Sequence, residues 1–154
     1  MRYFIIATLT VLFFSIIPEQ TSSGFCFFYH FLHVNVFHLA ANALSIWFIY
    51  RRWDTVELVL SFLIATGAYF TAMTPILGFS NIIYATIGLR TPPLVSPWWR
   101  LASTKIFLAT TLLMFLLPNV SAVTHVVSFM TGASMAAFGR WAKGIIHDSS
   151  RYMD

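Results

Sequence analysis

The chain has 154 residues, of which 58% are hydrophobic and only 9% are charged, whereas a soluble domain is about 25% charged. This composition excludes an ordinary soluble globular protein, because a fold of this length could not bury so much apolar surface. The net charge of +4 does not indicate a nucleic-acid-binding protein, because the basic residues are scattered rather than clustered.

Six apolar runs, separated by Pro, Gly or charged residues, predict six membrane-spanning helices. Their ranges are 3–17, 33–50, 56–73, 80–89, 104–117 and 122–141. None of them alternates with a period of two, so no strand is predicted. The first run lacks a clear cleavage pattern for a signal peptide, and we interpret it as a retained helix. The predicted fold is therefore an all-α membrane protein, with a six-helix domain at 1–142 and a cytoplasmic tail at 143–154.

The distribution of charge supports this number of helices. With six spans, the N-terminus, the second loop, the fourth loop and the C-terminus lie on one side of the membrane. Seven of the nine Lys and Arg residues fall in these segments, and the opposite loops hold none. The other two, Lys105 and Arg140, are the second residue of the fifth run and the second-last residue of the sixth, at the ends next to these segments. The positive-inside rule therefore predicts a multi-pass protein of the inner or plasma membrane with both termini in the cytoplasm.

The fourth run is too short to cross the bilayer. Residues 80–91 form a helix of roughly 16 to 18 Å, whereas the hydrocarbon core is about 30 Å thick. With Arg90 near the cytoplasmic surface, Ser80 lies part-way through the membrane. Residues 74–79 are then expected to be non-helical backbone at membrane depth, which is tolerated only within protein or beside a water-filled cavity. We therefore expect water above Ser80.

Four polar side chains are predicted at similar depth, toward the extracytoplasmic side. His38 and Asn42 share one face of the second predicted helix, Ser80 begins the fourth, and His125 lies near the start of the sixth. Each has a structural explanation when taken singly, since a serine at a helix start is commonly an N-cap and a membrane histidine commonly joins two helices. Polar residues within spans are nevertheless candidates for function, and their joint placement favours a site.

A serine beside a histidine is the minimum set for nucleophilic acyl transfer, with the imidazole as general base. Contact between Ser80 and His125 has to be interhelical, and both helices carry small residues that permit close packing. His38 and Asn42 are suitable donors to an oxyanion. No Asp or Glu is predicted at this depth, so we expect a dyad rather than a triad. The single cysteine, Cys26, excludes an intrachain disulfide and a cysteine-based zinc site.

Three sequence motifs occur at the starts of the second, fourth and sixth predicted helices. They are HVNVFHLAAN at 33–42, GFSNIIYATIG at 78–88 and HVVSFMTG at 125–132. In order and spacing they resemble the two-histidine–asparagine motif, the Gly-x-Ser-Gly nucleophile motif and the His-x-x-Gly-x-x-x-Gly motif of the rhomboid intramembrane serine proteases. The resemblance covers about residues 3–142.

The resemblance implies a six-helix, rhomboid-like bundle with a short fourth helix. Its activity would be that of an intramembrane serine endopeptidase that cleaves transmembrane protein substrates near their extracytoplasmic ends. Ser80 would be the nucleophile and His125 the general base. Four further residues would support them around the oxyanion hole and the histidine ring: His38, Asn42, Gly78 and Tyr84. No cofactor or metal is implied, and the expected partners are transmembrane substrates and the lipid bilayer, with no nucleic acid.

Two positions depart from the family's pattern. Asn81 stands where the family has the glycine after the nucleophile, and Ser128 replaces the first glycine of the third motif. A second hypothesis follows from Asn81: a rhomboid-like pseudoprotease that binds or chaperones membrane helices without cleaving them.

A third hypothesis uses the histidines alone. His33, His38 and His125 would form a metal or haem site, because imidazole ligands can bind such groups. No carboxylate or second partner for the imidazoles is evident in the sequence.

Overall fold

The computed structural model describes residues 2–15, 30, 33, 36–49, 54–72, 78–90, 109, 111, 112 and 122–150. Within these residues the chain forms five helices: α1 (Arg2–Ser15), α2 (Val36–Ile49), α3 (Thr55–Ala72), α4 (Ser80–Leu89) and α5 (Ala122–Ser150). The prediction of an all-α protein is confirmed for this part of the chain. The first four helices correspond to the first four predicted runs, and α5 corresponds to the sixth. The fifth predicted helix lies outside the described residues except at 109, 111 and 112, which are helical.

The helix ends agree closely with the predicted ones, except at the end of α5. That helix continues to Ser150, nine residues past the predicted end at 141. The prediction stopped where polar and charged residues begin, since these mark the end of an apolar span. Such residues keep their backbone hydrogen bonds in a helix, and no proline interrupts 142–150, so helix and apolar span end at different places.

Helix α4 is the centre of the described fold. Every residue from Ser80 to Thr86 is buried, as is Gly88. Ile82 and Ile83 pack into one apolar cluster with residues of α1, α2 and α3. The helix packs most extensively against α5, then against α3 and α2. A short helix enclosed in this way can hold polar groups in a fixed position away from the outer surface.

The four helices around α4 expose many large apolar side chains. Each of α1, α2, α3 and α5 contributes several, and the most exposed on each are Phe4, Phe37, Val56 and Phe138. In the described part of the chain, ten polar side chains are buried instead: His30, His33, Asn42, Ser61, Ser80, Asn81, Thr86, Thr124, His125 and Ser128. Apolar groups on the outside and polar groups on the inside are expected where the surrounding medium is hydrocarbon.

One described helix segment is long and apolar enough to cross a membrane by itself, Ala122–Lys143 in α5. Three shorter apolar segments lie in the other helices: Val36–Trp47, Thr55–Ala68 and Ser80–Leu89. The described residues thus show one helix with the length and composition of a membrane span.

Two glycines set the closest approach between α4 and α5. A Cβ atom at Gly88 would fall on the backbone of Phe129 and Ala133, and one at Gly132 would fall on the backbone of Ala85. The two backbones therefore touch directly at this level, as they do at small-residue crossings of membrane helices. Ser80, the first residue of α4, contacts His125 near the start of α5. Gly88 and Gly132 lie at the contact further along the same two helices. Helices α4 and α5 therefore run parallel.

Candidate active site

Ser80 is the first residue of α4, and its hydroxyl does not cap that helix. Phe79 holds the N-cap position without any side-chain capping bond. The Phe79 carbonyl accepts hydrogen bonds from the N–H groups of Ile82 and Ile83, at 3.1 and 3.2 Å. The structural explanation of Ser80 as an N-cap is therefore wrong, and its hydroxyl is left for a partner on another helix.

That partner is His125. Its Nε2 atom lies 2.7 Å from the Ser80 Oγ, and both residues are only 3% exposed. The distance is that of a hydrogen bond, and the hydroxyl is the donor in the tautomer that carries the ring proton on Nδ1. Nucleophile and base in this contact are the minimum arrangement for covalent catalysis by serine.

Tyr84 holds the imidazole ring of His125 from one side. The two ring centroids are 4.7 Å apart at an angle of 66°, an edge-on contact that favours one ring orientation. The Tyr84 hydroxyl in turn accepts a hydrogen bond from Thr111 Oγ1 at 3.3 Å. Tyr84 lies one helical turn after Ser80, so one face of α4 presents both the hydroxyl and the ring that positions its histidine.

Gly78 allows α2 to pack closely against the segment that precedes Ser80. Its φ angle of +107° lies in a region that side chains other than glycine rarely adopt. A Cβ atom at this position would lie 2.6 Å from His38 Cε1 and 3.4 Å from Asn42 Nδ2. His38 and Asn42 therefore both pack on the backbone two residues before the serine, where a larger residue would displace them.

His33 fixes the side-chain amide of Asn42. Asn42 Nδ2 donates to His33 Nε2 over 2.8 Å, between two residues that are each 4% exposed. The ring of His33 also makes an edge-on contact with that of His38, with centroids 5.1 Å apart. On the sequence alone, His33 has a place in the first motif and in the metal hypothesis, but no role in the serine-protease site.

The backbone at the start of α4 adds a further group of donors. The first N–H groups of any helix, here those of Ser80 and Asn81, have no acceptor within the helix. They carry the positive end of the helix dipole. Preorganised N–H donors beside a nucleophile are the usual means of stabilising an oxyanion.

No carboxylate takes part in this arrangement among the described residues. Asp54 and Glu57 lie at the start of α3, and Glu57 forms a bidentate ion pair with Arg90 just after α4 ends. This pair joins α3 to the end of α4 opposite Ser80. Within the described residues, the site therefore contains Ser80 and His125 without a carboxylate partner.

Asn81 and Ser128, the two departures from the rhomboid pattern, are both completely buried at 0% exposure. Neither polar atom of the Asn81 amide has a hydrogen-bond partner in the described structure, and the same holds for Ser128 Oγ. Asn81 points into the protein while the Ser80–His125 contact forms beside it. Its side chain therefore does not keep the serine and histidine apart.

The metal site of the third hypothesis finds no support among the described residues. Among the described residues, which include His33, His38 and His125, no three His, Cys, Asp or Glu side chains are grouped closely enough to bind a metal ion. The Nε2 atoms of two of these histidines are instead engaged, by Asn42 and by Ser80.

All six residues singled out from the sequence lie in two adjoining groups. One consists of Ser80, His125 and Tyr84, and the other of Gly78, His38 and Asn42. The two groups are joined through the chain from Gly78 to Ser80. Comparison of the chain with protein-family models, with curated proteins and with solved structures finds no match.

Proposed function

We propose that the chain is an intramembrane serine endopeptidase of the rhomboid type, which cleaves transmembrane substrates near their extracytoplasmic ends. The observation that carries the proposal is the 2.7 Å contact between His125 Nε2 and Ser80 Oγ. A buried serine and a buried histidine on different helices could each bond to many other groups. That they bond to each other supports the proposal, because such a contact lets the histidine activate the serine as a nucleophile.

The proposed membrane topology has six spans with both termini in the cytoplasm. Three observations support it. The four helices around α4 expose large apolar side chains, α4 and α5 run parallel, and every Lys and Arg lies in or beside a segment that six spans would place on one side of the membrane. Helices α4 and α5 correspond to the fourth and sixth predicted spans. Two even-numbered spans of a bundle that crosses the membrane back and forth run in the same direction, as these two helices do. The 10 residues of α4 span about 15 Å, so Ser80 would lie within the bilayer rather than at its surface.

In the proposed reaction Ser80 Oγ attacks the carbonyl carbon of a substrate peptide bond. His125 Nε2 takes the hydroxyl proton as the new C–O bond forms. When the tetrahedral intermediate collapses, the C–N bond breaks and the same proton passes from His125 to the departing amine. Water then attacks the acyl carbon while His125 Nε2 takes one of its protons. The ester bond to Ser80 Oγ breaks, the proton passes from His125 to Oγ, and the carboxylic acid product leaves.

The negative charge of the intermediate falls on the former carbonyl oxygen. The Ser80 N–H, the His38 imidazole and the Asn42 amide are the proposed donors to it. Asn42 Nδ2 carries two hydrogens and uses one of them for His33, so the other is available for an oxyanion. A buried, largely apolar surround strengthens each of these hydrogen bonds relative to water.

The proposal is tested by labelling purified protein with a fluorophosphonate, which reacts covalently with activated serines. We expect wild type to label, and Ser80→Ala and His125→Ala to lose the label. Ser45→Ala is the matched control, because Ser45 Oγ bonds only its own helix, at Ala41 O, and this variant should label as wild type does. Labelling that persists in Ser80→Ala would refute the assignment.

Failure of wild type to label has a specific follow-up. A wild-type protein that neither labels nor cleaves a model transmembrane substrate, combined with cleavage by Asn81→Gly, would favour the pseudoprotease. Inactivity of both would remove the protease proposal altogether.

The proposed topology has its own test on the two ends of α5. In a Cys26→Ser background, Val123→Cys and Lys143→Cys place single thiols at positions that are exposed in the structure. We expect a membrane-impermeant maleimide to reach position 123 from the extracytoplasmic side and position 143 only from the cytoplasmic side. Labelling of both from one side would contradict a crossing by α5.

A further inference from the structure

Two buried polar residues face each other across the α4–α5 contact without being bonded. Asn81 precedes Ala85 by four residues, and Ser128 precedes Gly132 by four. Since Ala85 and Gly132 touch across the interface and the helices are parallel, one turn back on each helix brings Asn81 and Ser128 to the same level. Asn81 directly follows Ser80, and Ser128 lies about one turn after His125, so this level is next to the Ser80–His125 contact along both helices.

Three buried polar atoms belong to these two side chains, namely Oδ1 and Nδ2 of Asn81 and Oγ of Ser128. All are enclosed, and none has a hydrogen-bond partner in the described structure. They also do not reach one another, because a direct bond would have satisfied them. Buried polar groups are rarely left unpaired, and leaving them so is costly. Small polar spaces of this kind are where proteins hold internal water, with about three hydrogen bonds per molecule.

We propose that Asn81 and Ser128 bind at least one buried water molecule, and that this bridge sets the separation of α4 and α5 beneath the Ser80–His125 pair. The two backbones touch directly at Gly132, one turn after Ser128, and at Gly88, about two turns after Asn81. At the level of the bridge, side chains and water hold them apart. The pair of polar residues thus fixes how far the helices diverge toward the serine and the histidine.

The water site stands independently of the proposed function, whereas its positioning role rests on that function. The first measurement therefore uses stability alone. We expect Asn81→Leu and Ser128→Ala each to lower the thermal unfolding midpoint of the purified protein by on the order of 3 °C, because each leaves the other residue without its bridge. In the double variant both polar groups are gone, and we expect a midpoint no lower than that of either single variant.

Additive shifts would overturn the water bridge, because unconnected sites behave independently. Thr10→Val combined with Asn81→Leu is the matched control: Thr10 bonds Ile6 O within α1, and its effect should simply add. If Asn81→Leu does not fold, the same cycle with Asn81→Ala decides the question, and additivity there is equally decisive.

The second measurement is the rate of fluorophosphonate labelling at Ser80. We expect the double variant to regain stability but to label on the order of tenfold more slowly than wild type, because small displacements of reacting groups are costly in rate. A merely structural bridge would restore both quantities, so labelling at the wild-type rate would overturn the positioning role. If wild type does not label at all, the proposed function fails, and the stability cycle still decides whether the bridge exists.

Discussion

His125 Nε2 lies 2.7 Å from Ser80 Oγ although the two residues are 45 positions apart in the chain. They meet because the Gly88 and Gly132 crossing brings the backbones of α4 and α5 into direct contact. The Ser80–His125 contact therefore depends on glycines about two helical turns away. Substitutions at these glycines should change the reactivity of Ser80 although the new side chains do not touch it.

Gly132→Ala tests this dependence. The added methyl group would meet the carbonyl of Ala85, which belongs to backbone and cannot move aside. We expect a loss of stability of about 1–3 kcal/mol from overpacking and a slower fluorophosphonate reaction at Ser80, as α4 and α5 separate.

Gly139→Ala is the matched control on the same helix, because nothing lies within 4 Å of a Cβ at that position. It should be neutral, or more stable by about 0.5–1 kcal/mol through helix propensity. Equal stability and equal labelling rates in the two variants would show that the crossing does not hold the site.

Gly78→Ala tests the approach of α2 to the serine. A side chain at φ +107° is strained, and its Cβ would lie 2.8 Å from His38 Nε2. We expect a loss of about 1–3 kcal/mol and a fall in labelling rate of on the order of a hundredfold, because the ring of His38 must move.

Gly67→Ala in α3 is the comparison, since a Cβ there meets nothing within 4 Å. Thermal unfolding and labelling of this variant should match wild type or show a small gain in stability. A Gly78→Ala protein that reacts as fast as Gly67→Ala would remove His38 from the proposed oxyanion hole.

Asn42→Ala tests the proposed oxyanion donor. The phosphonyl oxygen of the probe occupies the position of the oxyanion, so loss of a donor should slow labelling by on the order of 10²-fold. His33→Ala leaves the amide in place but removes the acceptor that orients it, and we expect a smaller decrease, on the order of tenfold. If Asn42→Ala labels at the wild-type rate, Asn42 is a structural partner of His33 and nothing more.

His30 predicts a pH dependence of stability. Burial lowers the pKa of His30 to about 4, and its Nε2 pairs with Thr66 Oγ1 at 3.3 Å. The unfolded chain binds a proton at this histidine below pH 6.5 and the folded chain only near pH 4. Stability should therefore fall as the pH is lowered from about 6.5 to about 4, by on the order of 3 kcal/mol.

The measurement is the difference in unfolding midpoint between wild type and His30→Gln across this range. Glutamine does not titrate, so the difference isolates the contribution of His30 from that of the other buried histidines. A difference that stays constant between pH 4 and pH 7 would contradict the assignment.

The sequence by itself determined the helices. The apolar runs, their bounding prolines and glycines, and the absence of two-residue alternation predicted an all-α chain and a fourth helix at 80–89, which is the observed range of α4. These properties are local, since a helix satisfies its backbone within its own segment. The extension of α5 to Ser150 was missed because an apolar span is defined by its surroundings, whereas a helix is defined by its hydrogen bonds.

The sequence also singled out Ser80, His125, His38 and Asn42 by residue type, depth and spacing. Only the tertiary structure decided how they pair, because a hydrogen bond between helices depends on where their backbones cross and at what separation. In the structure the Ser80 hydroxyl bonds to His125 instead of capping its own helix, and the Asn42 amide bonds to His33. The tertiary structure also decided that the side chains of Asn81 and Ser128 are completely buried.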